Sequence, residues 1–233
     1  MQAIILVGGL GTRLKSLYPD RPKALVPILG LPFIERQIAW LHAQGITSVH
    51  LAAGHKAAML ADWARDWKTA PVPVTVSIEE QPLGTAGGLK FVEPFVRGKI
   101  FLVLNGDSLL PMLDVQFMLH AHRETRSEVT LAITPIKESG RYGTVEFDDR
   151  NHLTAFLEKA ERSGGWVNGG VYAVNREILS RIEAGKNLSL ETDIFPALTQ
   201  AGTLRVFRCD PPLLDMGTPE GIRAMEDFIG AMR

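Results

Sequence analysis

The stretch from Ala3 to Pro27, AIILVGGLGTRLKSLYPDRPKALVP, constrains the chain more than any other. Its apolar run, Ala3 to Val7, has the length of a strand buried on both faces of a parallel sheet. Gly8, Gly9 and Gly11 follow at once. Lacking side chains, they let the chain turn sharply and let a ligand approach exposed backbone N–H groups, which form an anion-binding concavity. Arg13 adds a planar cation suited to phosphate oxygens. Lys23 lies between Pro22 and Pro27, a setting that favours extended backbone. The stretch reads as a polyphosphate cradle with two cations directed into it. A glycine turn that merely closes a loop is the plain alternative, because Gly-Gly-x-Gly alone is a weak signal. Neither Gly98-Lys99 nor Gly185-Lys186 precedes Ser or Thr, so there is no P-loop, and the glycine spacing does not complete the dinucleotide fingerprint.

Composition narrows the class. A chain of 233 residues, 45% of them hydrophobic, supplies one sizeable core, and residues 1–233 are expected to form a single domain. A net charge of -1 without a basic tract argues against a nucleic-acid surface. The one cysteine, Cys209, excludes an internal disulfide and suits a reducing compartment. There is no basic flank before the first apolar run and no membrane-spanning length of apolar residues. The expectation is a cytoplasmic protein; its oligomeric state, a homo-oligomer included, stays open.

Further along, Pro32 to Gln44 predicts a helix with Ile34, Ile38 and Leu41 on one face and Gly45 as its stop. Ser48–Ala53 and Val72–Ile78 read as strands around a helix near 57–67, giving a βαβαβ order and a parallel sheet. Glu80, Gln81, Pro82, Gly84 and Thr85 then open a helix. Its glycines leave room for a flat base, and Glu80 or Gln81 is placed to read the base edge; a solvated strand-to-helix turn is the bland alternative. Lys99–Leu104 ends in Asn105-Gly106-Asp107. A carboxylate at the C-terminal end of a parallel strand lies on the ligand side of an open α/β sheet, so Asp107 is a candidate Mg²⁺ ligand. Asp114 is the better cap for the next helix, which leaves Asp107 free.

GGLGTRL, Lys23 to Pro27, EEQPLGTAGG and LVLNGD, in that order, resemble the sugar-1-phosphate nucleotidyltransferases, closest to the mannose and manno-heptose guanylyltransferase branch. The likeness runs through the whole chain. It implies a Rossmann-like α/β fold with a mixed, mostly parallel sheet flanked by helices and a β-hairpin sugar-binding subregion. The nucleotide-binding part would be about 1–110 and the sugar- and metal-binding part about 111–233; no C-terminal β-helix repeats follow. The resemblance carries nucleotide contacts to Leu6, Gly8, Gly9, Gly11, Thr12, Arg13, Glu80, Gln81, Pro82, Gly84, Thr85 and Gly106. It carries sugar-phosphate contacts to Gly143, Glu158, Lys159, Asn168 and Gly169, and a second Mg²⁺ carboxylate to Asp215. Surface Glu-Lys pairs and glycine bulges in strands are common, and they are the alternatives for those positions. Thr218 and Pro219 read as cap and first residue of the last helix, which leaves Asp215 for the metal.

The chemistry implied is attack by a sugar 1-phosphate oxygen on the α-phosphorus of a nucleoside triphosphate, with loss of pyrophosphate. Arg13, Lys23 and Asp107 would be the catalytic groups, meeting two polyanions with fixed charge. The nucleophile is already anionic, so no general base is called for, and no histidine falls in a matched motif. Leu83 to Gly87 follows the pattern of the guanylyl branch and favours GTP, whereas Gln81 stands where that branch commonly has Glu and keeps UTP and dTTP as alternatives, with MurNAc or glucose phosphates as alternatives to a manno sugar. A non-catalytic regulatory relative, a glycosyltransferase and a molybdenum-cofactor guanylyltransferase are the rival functions. The retained Arg13, Lys23 and Asp107 speak against the first, the absence of a paired-aspartate motif against the second, and the Asn168 segment against the third.

Overall fold

The structure, a computed structural model, describes residues 1–9, 11–14, 17–137, 144–157 and 164–231. The first half runs β1 (Gln2–Val7), β2 (Pro27–Ile28), β3 (Leu31–Pro32), α1 (Phe33–Ala43), β4 (Ser48–Ala53), α2 (Ala57–Asp66), β5 (Val74–Ile78), α3 (Gly84–Phe91) and β6 (Ile100–Asn105). The second runs β7 (Ser108–Leu109), α4 (Val115–Glu124), β8 (Val129–Ile136), β9 (Thr144–Phe147), β10 (Leu153–Leu157), β11 (Gly165–Asn175), α5 (Phe195–Gln200), β12 (Leu204–Arg208), β13 (Leu214–Asp215) and α6 (Pro219–Ala231).

Across the main sheet the order is β5-β4-β1-β6-β11-β8-β12, with the β9–β10 hairpin joined to the first half of β11. β5, β4, β1 and β6 are parallel, as the βαβαβ order predicts, whereas β11 runs antiparallel to both β6 and β8. Alternate residues of β1 enter different cores: Ala3, Ile5 and Val7 pack with Ile34, Ile38 and Leu41 of α1, while Ile4 packs with Leu89 of α3. Burial on both faces is why β1 reads as an unbroken apolar run. Its register puts Leu6 beside Asn105 and Val7 beside Ala53, so three strands end level on one edge of the sheet.

A third core joins distant pieces of chain. Leu14, Val26, Ile28 and Phe33 pack with Leu109, Leu214, Met216 and Met225. This cluster pins the Lys23 segment to the segment carrying Asp215. The caps follow sequence logic. Asp114 accepts from the Phe117 N–H at 2.9 Å, and Thr218 Oγ1 accepts from the Gly221 N–H at 3.2 Å. Two local expectations change. Pro32 ends β3 and precedes α1, so it lies just outside the helix. Lys23–Leu25 is a 3₁₀ turn, with only Pro22 and Val26 extended beside it. Proline restricts the residue before it, here Arg21 and Val26, and leaves Lys23 free to turn.

Candidate active site

The site is built around the turn that follows β6. Gly106 is buried there, its N–H donating to the Leu6 carbonyl at 2.9 Å. A Cβ on Gly106 would stand 2.3 Å from Val7 Cγ1, so the crossing beside β1 admits only glycine. Gln37, fully buried on α1, spends its amide on this turn: Nε2 donates to the carbonyls of Asn105 and Ser108, each at 2.9 Å. Asp107 is thereby held between two clamped residues. The β7–β13 ladder then pairs Asp215 with Ser108, and the Met216 N–H donates to the Asp107 carbonyl at 3.0 Å. Asp107, in the turn just before β7, is thus held next to Asp215 on β13, and Lys23 Nζ reaches Asp107 Oδ2 at 2.7 Å. The Asp215 carboxylate takes the Gly217 N–H on Oδ1 at 2.7 Å. Among the described residues, no group of three or more His, Cys, Asp or Glu gathers as a metal site.

A cleft of about 390 Å³ opens beside this turn. Of the residues expected at the nucleotide, Leu6, Gly8, Gly9, Pro82, Gly84, Thr85 and Gly106 line it, together with the expected catalytic residues Lys23 and Asp107. Gly9 has open space where a Cβ would be, which leaves its backbone accessible. Arg13 is exposed in the 3₁₀ turn Thr12–Leu14 and does not line this cleft; Gly11 lies beside it, against Lys23. Glu80 and Gln81 are exposed and also outside the lining. The acidic side chain that does line the cleft at this corner is Glu79. Its carboxylate occupies the space beside Gly8 and Gly54, where added Cβ atoms would come within 2.5 and 2.3 Å of Oε1. Burial pushes its pKa up, partly opposed by a hydrogen bond from the Leu83 N–H.

Other glycines serve packing. A Cβ on Gly84 would stand 2.4 Å from the Leu188 carbonyl oxygen, and one on Gly87 2.2 Å from that of Lys186. The room they leave is filled by protein backbone, with Gly84 also facing the cleft. Gly143, Glu158 and Lys159 lie outside the described residues. In β11 the register shifts between Asn168 and Tyr172, and the space above Gly169 and Gly170 is taken by Leu110, Ser108 and Asn105. This is the bulge alternative, and its consequence is close packing against the Asp107 turn. The Asn168 amide is internally engaged: Oδ1 accepts from the Gly170 N–H and Nδ2 donates to the Tyr172 hydroxyl, both at 2.8 Å. Tyr172 donates to Glu191 at 3.0 Å; burial, reinforced by the Glu191 charge, raises its pKa and keeps it protonated. Glu191 in turn accepts from Thr85 at 3.3 Å, so one network ties β11 to the first turn of α3.

A family model for nucleotidyl transferases matches residues 2–231. The chain belongs to this family, the sugar-1-phosphate nucleotidyltransferases. It is 35% identical to the D-glycero-alpha-D-manno-heptose 1-phosphate guanylyltransferase of Aneurinibacillus thermoaerophilus, over 96% of either chain. It is 34% identical to the mannose-1-phosphate guanylyltransferase of Mycobacterium tuberculosis, covering 98% of this chain but 65% of that protein. HddC from Yersinia pseudotuberculosis superposes with a TM-score of 0.88 at 30% identity, covering 98% of this chain and 99% of that one. The same protein has been solved with GMP-PN, and it then superposes at a TM-score of 0.87.

Two residues of this nucleotidyltransferase escaped sequence reasoning. Glu79 follows β5 directly, at the C-terminal strand end where ligands gather, one residue before Glu80 and two before Gln81, which the glycine motif favours. Gln37 left a plainer signal: a polar residue on the apolar face set by Phe33, Ile34, Ile38 and Leu41.

Proposed function

We propose that the chain joins a nucleoside triphosphate, GTP in preference, to a manno-configured sugar 1-phosphate and releases pyrophosphate. The observation that carries the reading is the Lys23–Asp107 pair lining a glycine-rich cleft, with Asp215 on the strand paired to the adjoining Ser108. In the reaction a sugar-phosphate oxygen forms a bond to the α-phosphorus. The bond from that phosphorus to the bridging oxygen breaks, and its electrons leave with pyrophosphate. Lys23 stands at the point where the charge of two polyanions must be met, with the Gly8 and Gly9 backbone as a second source of positive potential.

The carboxylates also fit Mg²⁺, which takes one or two of them and completes its shell with phosphate oxygens and water. Asp107 and Asp215 would hold it, each with one oxygen already fixed by a protein donor. When bound, Mg²⁺ offsets charge on the reacting phosphates. Arg13, in this reading, serves the triphosphate from the rim of the cleft.

For the base we place Glu79 at the edge-reading position, in preference to Glu80 or Gln81. Guanine presents two adjacent N–H donors, and one carboxylate accepts from both. A GMP-PN complex of a relative at 30% identity, and guanylyltransferases among the sequence relatives, support a guanine nucleotide. The test offers GTP, UTP, dTTP, CTP and ATP with mannose, manno-heptose and glucose 1-phosphates and follows pyrophosphate and the nucleotide sugar. GDP-sugar from the manno substrates is expected; a mainly UDP- or dTDP-sugar product would overturn the base assignment.

A further inference from the structure

A second cleft, of about 330 Å³, shares no lining residue with the first. It lies between α4, β12 and the turn joining β9 to β10. Arg150, Arg205 and Arg208 line it, and no acidic residue does. Among the described residues, none of these arginines has a carboxylate ion-pair partner. The nearby Asp148 is occupied by its own turn, accepting from the N–H groups of Arg150 and His152 at 2.9 and 2.8 Å and pairing with the His152 ring. Three like charges therefore share a concave surface that no carboxylate lines, a field that concentrates anions.

Phe117, Ala121, Val206 and Phe207 give the cleft an apolar wall, and Thr125, Thr130 and Asn151 complete the lining. Phe117, 60% exposed, meets Phe207 edge-on with ring centroids 5.6 Å apart, forming one wall. The turn is docked onto β12: the Val206 N–H donates to the Asn151 carbonyl at 2.8 Å, Arg205 donates to the Arg150 carbonyl, and His152 bridges Arg205. Asn151 holds a left-handed conformation, φ 61°, to close it. Guanidinium forks match phosphate oxygens, and exposed aromatic faces accept flat rings. The volume falls in the range of small-ligand sites, about 300–1,000 Å³.

We propose that this cleft binds a nucleoside phosphate, its phosphate on Arg150 and Arg208 and its base against Phe117 and Phe207. The site is independent of the first cleft and of what that cleft takes. The probe is GMP in equilibrium dialysis at low salt, comparing the wild type with the double variant Arg150→Glu/Arg208→Glu. Both arginines are exposed and lie outside the first cleft, so the variant should fold and retain the wild-type rate of pyrophosphate release. The wild type should bind one more GMP per chain than the variant. Inorganic phosphate should compete for that extra site, and guanosine should occupy it at least about tenfold more weakly than GMP. Phe117→Ser, which leaves the charges in place, should weaken the same site about fivefold or more. Equal stoichiometry in wild type and double variant, guanosine binding as tight as GMP, or an unaltered site in Phe117→Ser would each overturn the assignment.

Discussion

Gln37 and Glu79 show how much of the site rests on single buried or half-buried polar groups. Gln37 touches no substrate position, yet it fixes both ends of the Asp107 turn. Gln37→Leu removes both bonds and leaves two carbonyls unpaired, each costing roughly 1–3 kcal/mol where water is excluded. The expected result is a kcat lowered about tenfold or more with KM for the triphosphate nearly unchanged, checked by steady-state kinetics on protein that still melts cooperatively. A kcat left at the wild-type value would remove Gln37 as a positioning residue. Glu79→Gln keeps the size of the side chain but turns one acceptor into a donor. GTP should lose its advantage over UTP by about tenfold or more, read as the ratio of kcat/KM values. An unchanged ratio would leave Glu79 only the role of closing the turn through the Leu83 N–H.

At the scale of elements, the two-residue strands β7 and β13 matter more than their length implies, because they bring Asp107 and Asp215 together. Their partner is distant in sequence, and two residues carry no periodic signal. The long elements were legible for the opposite reason. Ser48–Ala53 is observed with the bounds its apolar pattern predicts, and Asp114 and Thr218 cap the helices assigned to them. Glycine was the least transparent residue. Its presence signals a close approach but does not name the approaching atom, so Gly84, Gly87 and Gly169 read as ligand contacts although protein atoms take up much of their space. Gly106 carries the sharpest consequence. Gly106→Ala forces a methyl against Val7 and should destabilise the fold by about 1–3 kcal/mol while displacing Asp107. Thermal melts and turnover should fall together; a stable variant with full activity would show that β1 yields easily.

Across the whole molecule, the two cores on either face of the sheet enclose histidines that fold as neutral groups. His50 is buried, stacks on Phe95 at 4.6 Å, and is bonded to Thr75 and Ser77 at 2.8 and 3.0 Å. Burial lowers its pKa to about 4, and that of His122 moves the same way. A folded-state pKa below the unfolded value of about 6.5 means the unfolded chain binds protons first as pH falls. The stability from His50 is thus complete above pH about 6.5 and lost towards pH about 4, amounting to no more than roughly 3 kcal/mol. Melting temperatures should fall over that window, and more steeply in the wild type than in His50→Gln; equal slopes would contradict the assignment.

The same arrangement sets the catalytic account, in which the three strand ends, the Lys23 segment and the β7–β13 ladder meet beside one cleft. The direct measurement is product analysis with GTP, a manno-configured sugar 1-phosphate and Mg²⁺, for the wild type and Asp107→Asn. GDP-sugar and pyrophosphate are expected in equal amounts from the wild type, and at least about 10²-fold less of both from the folded variant. GTP hydrolysis to GDP and phosphate, or undiminished GDP-sugar synthesis by Asp107→Asn, would contradict it.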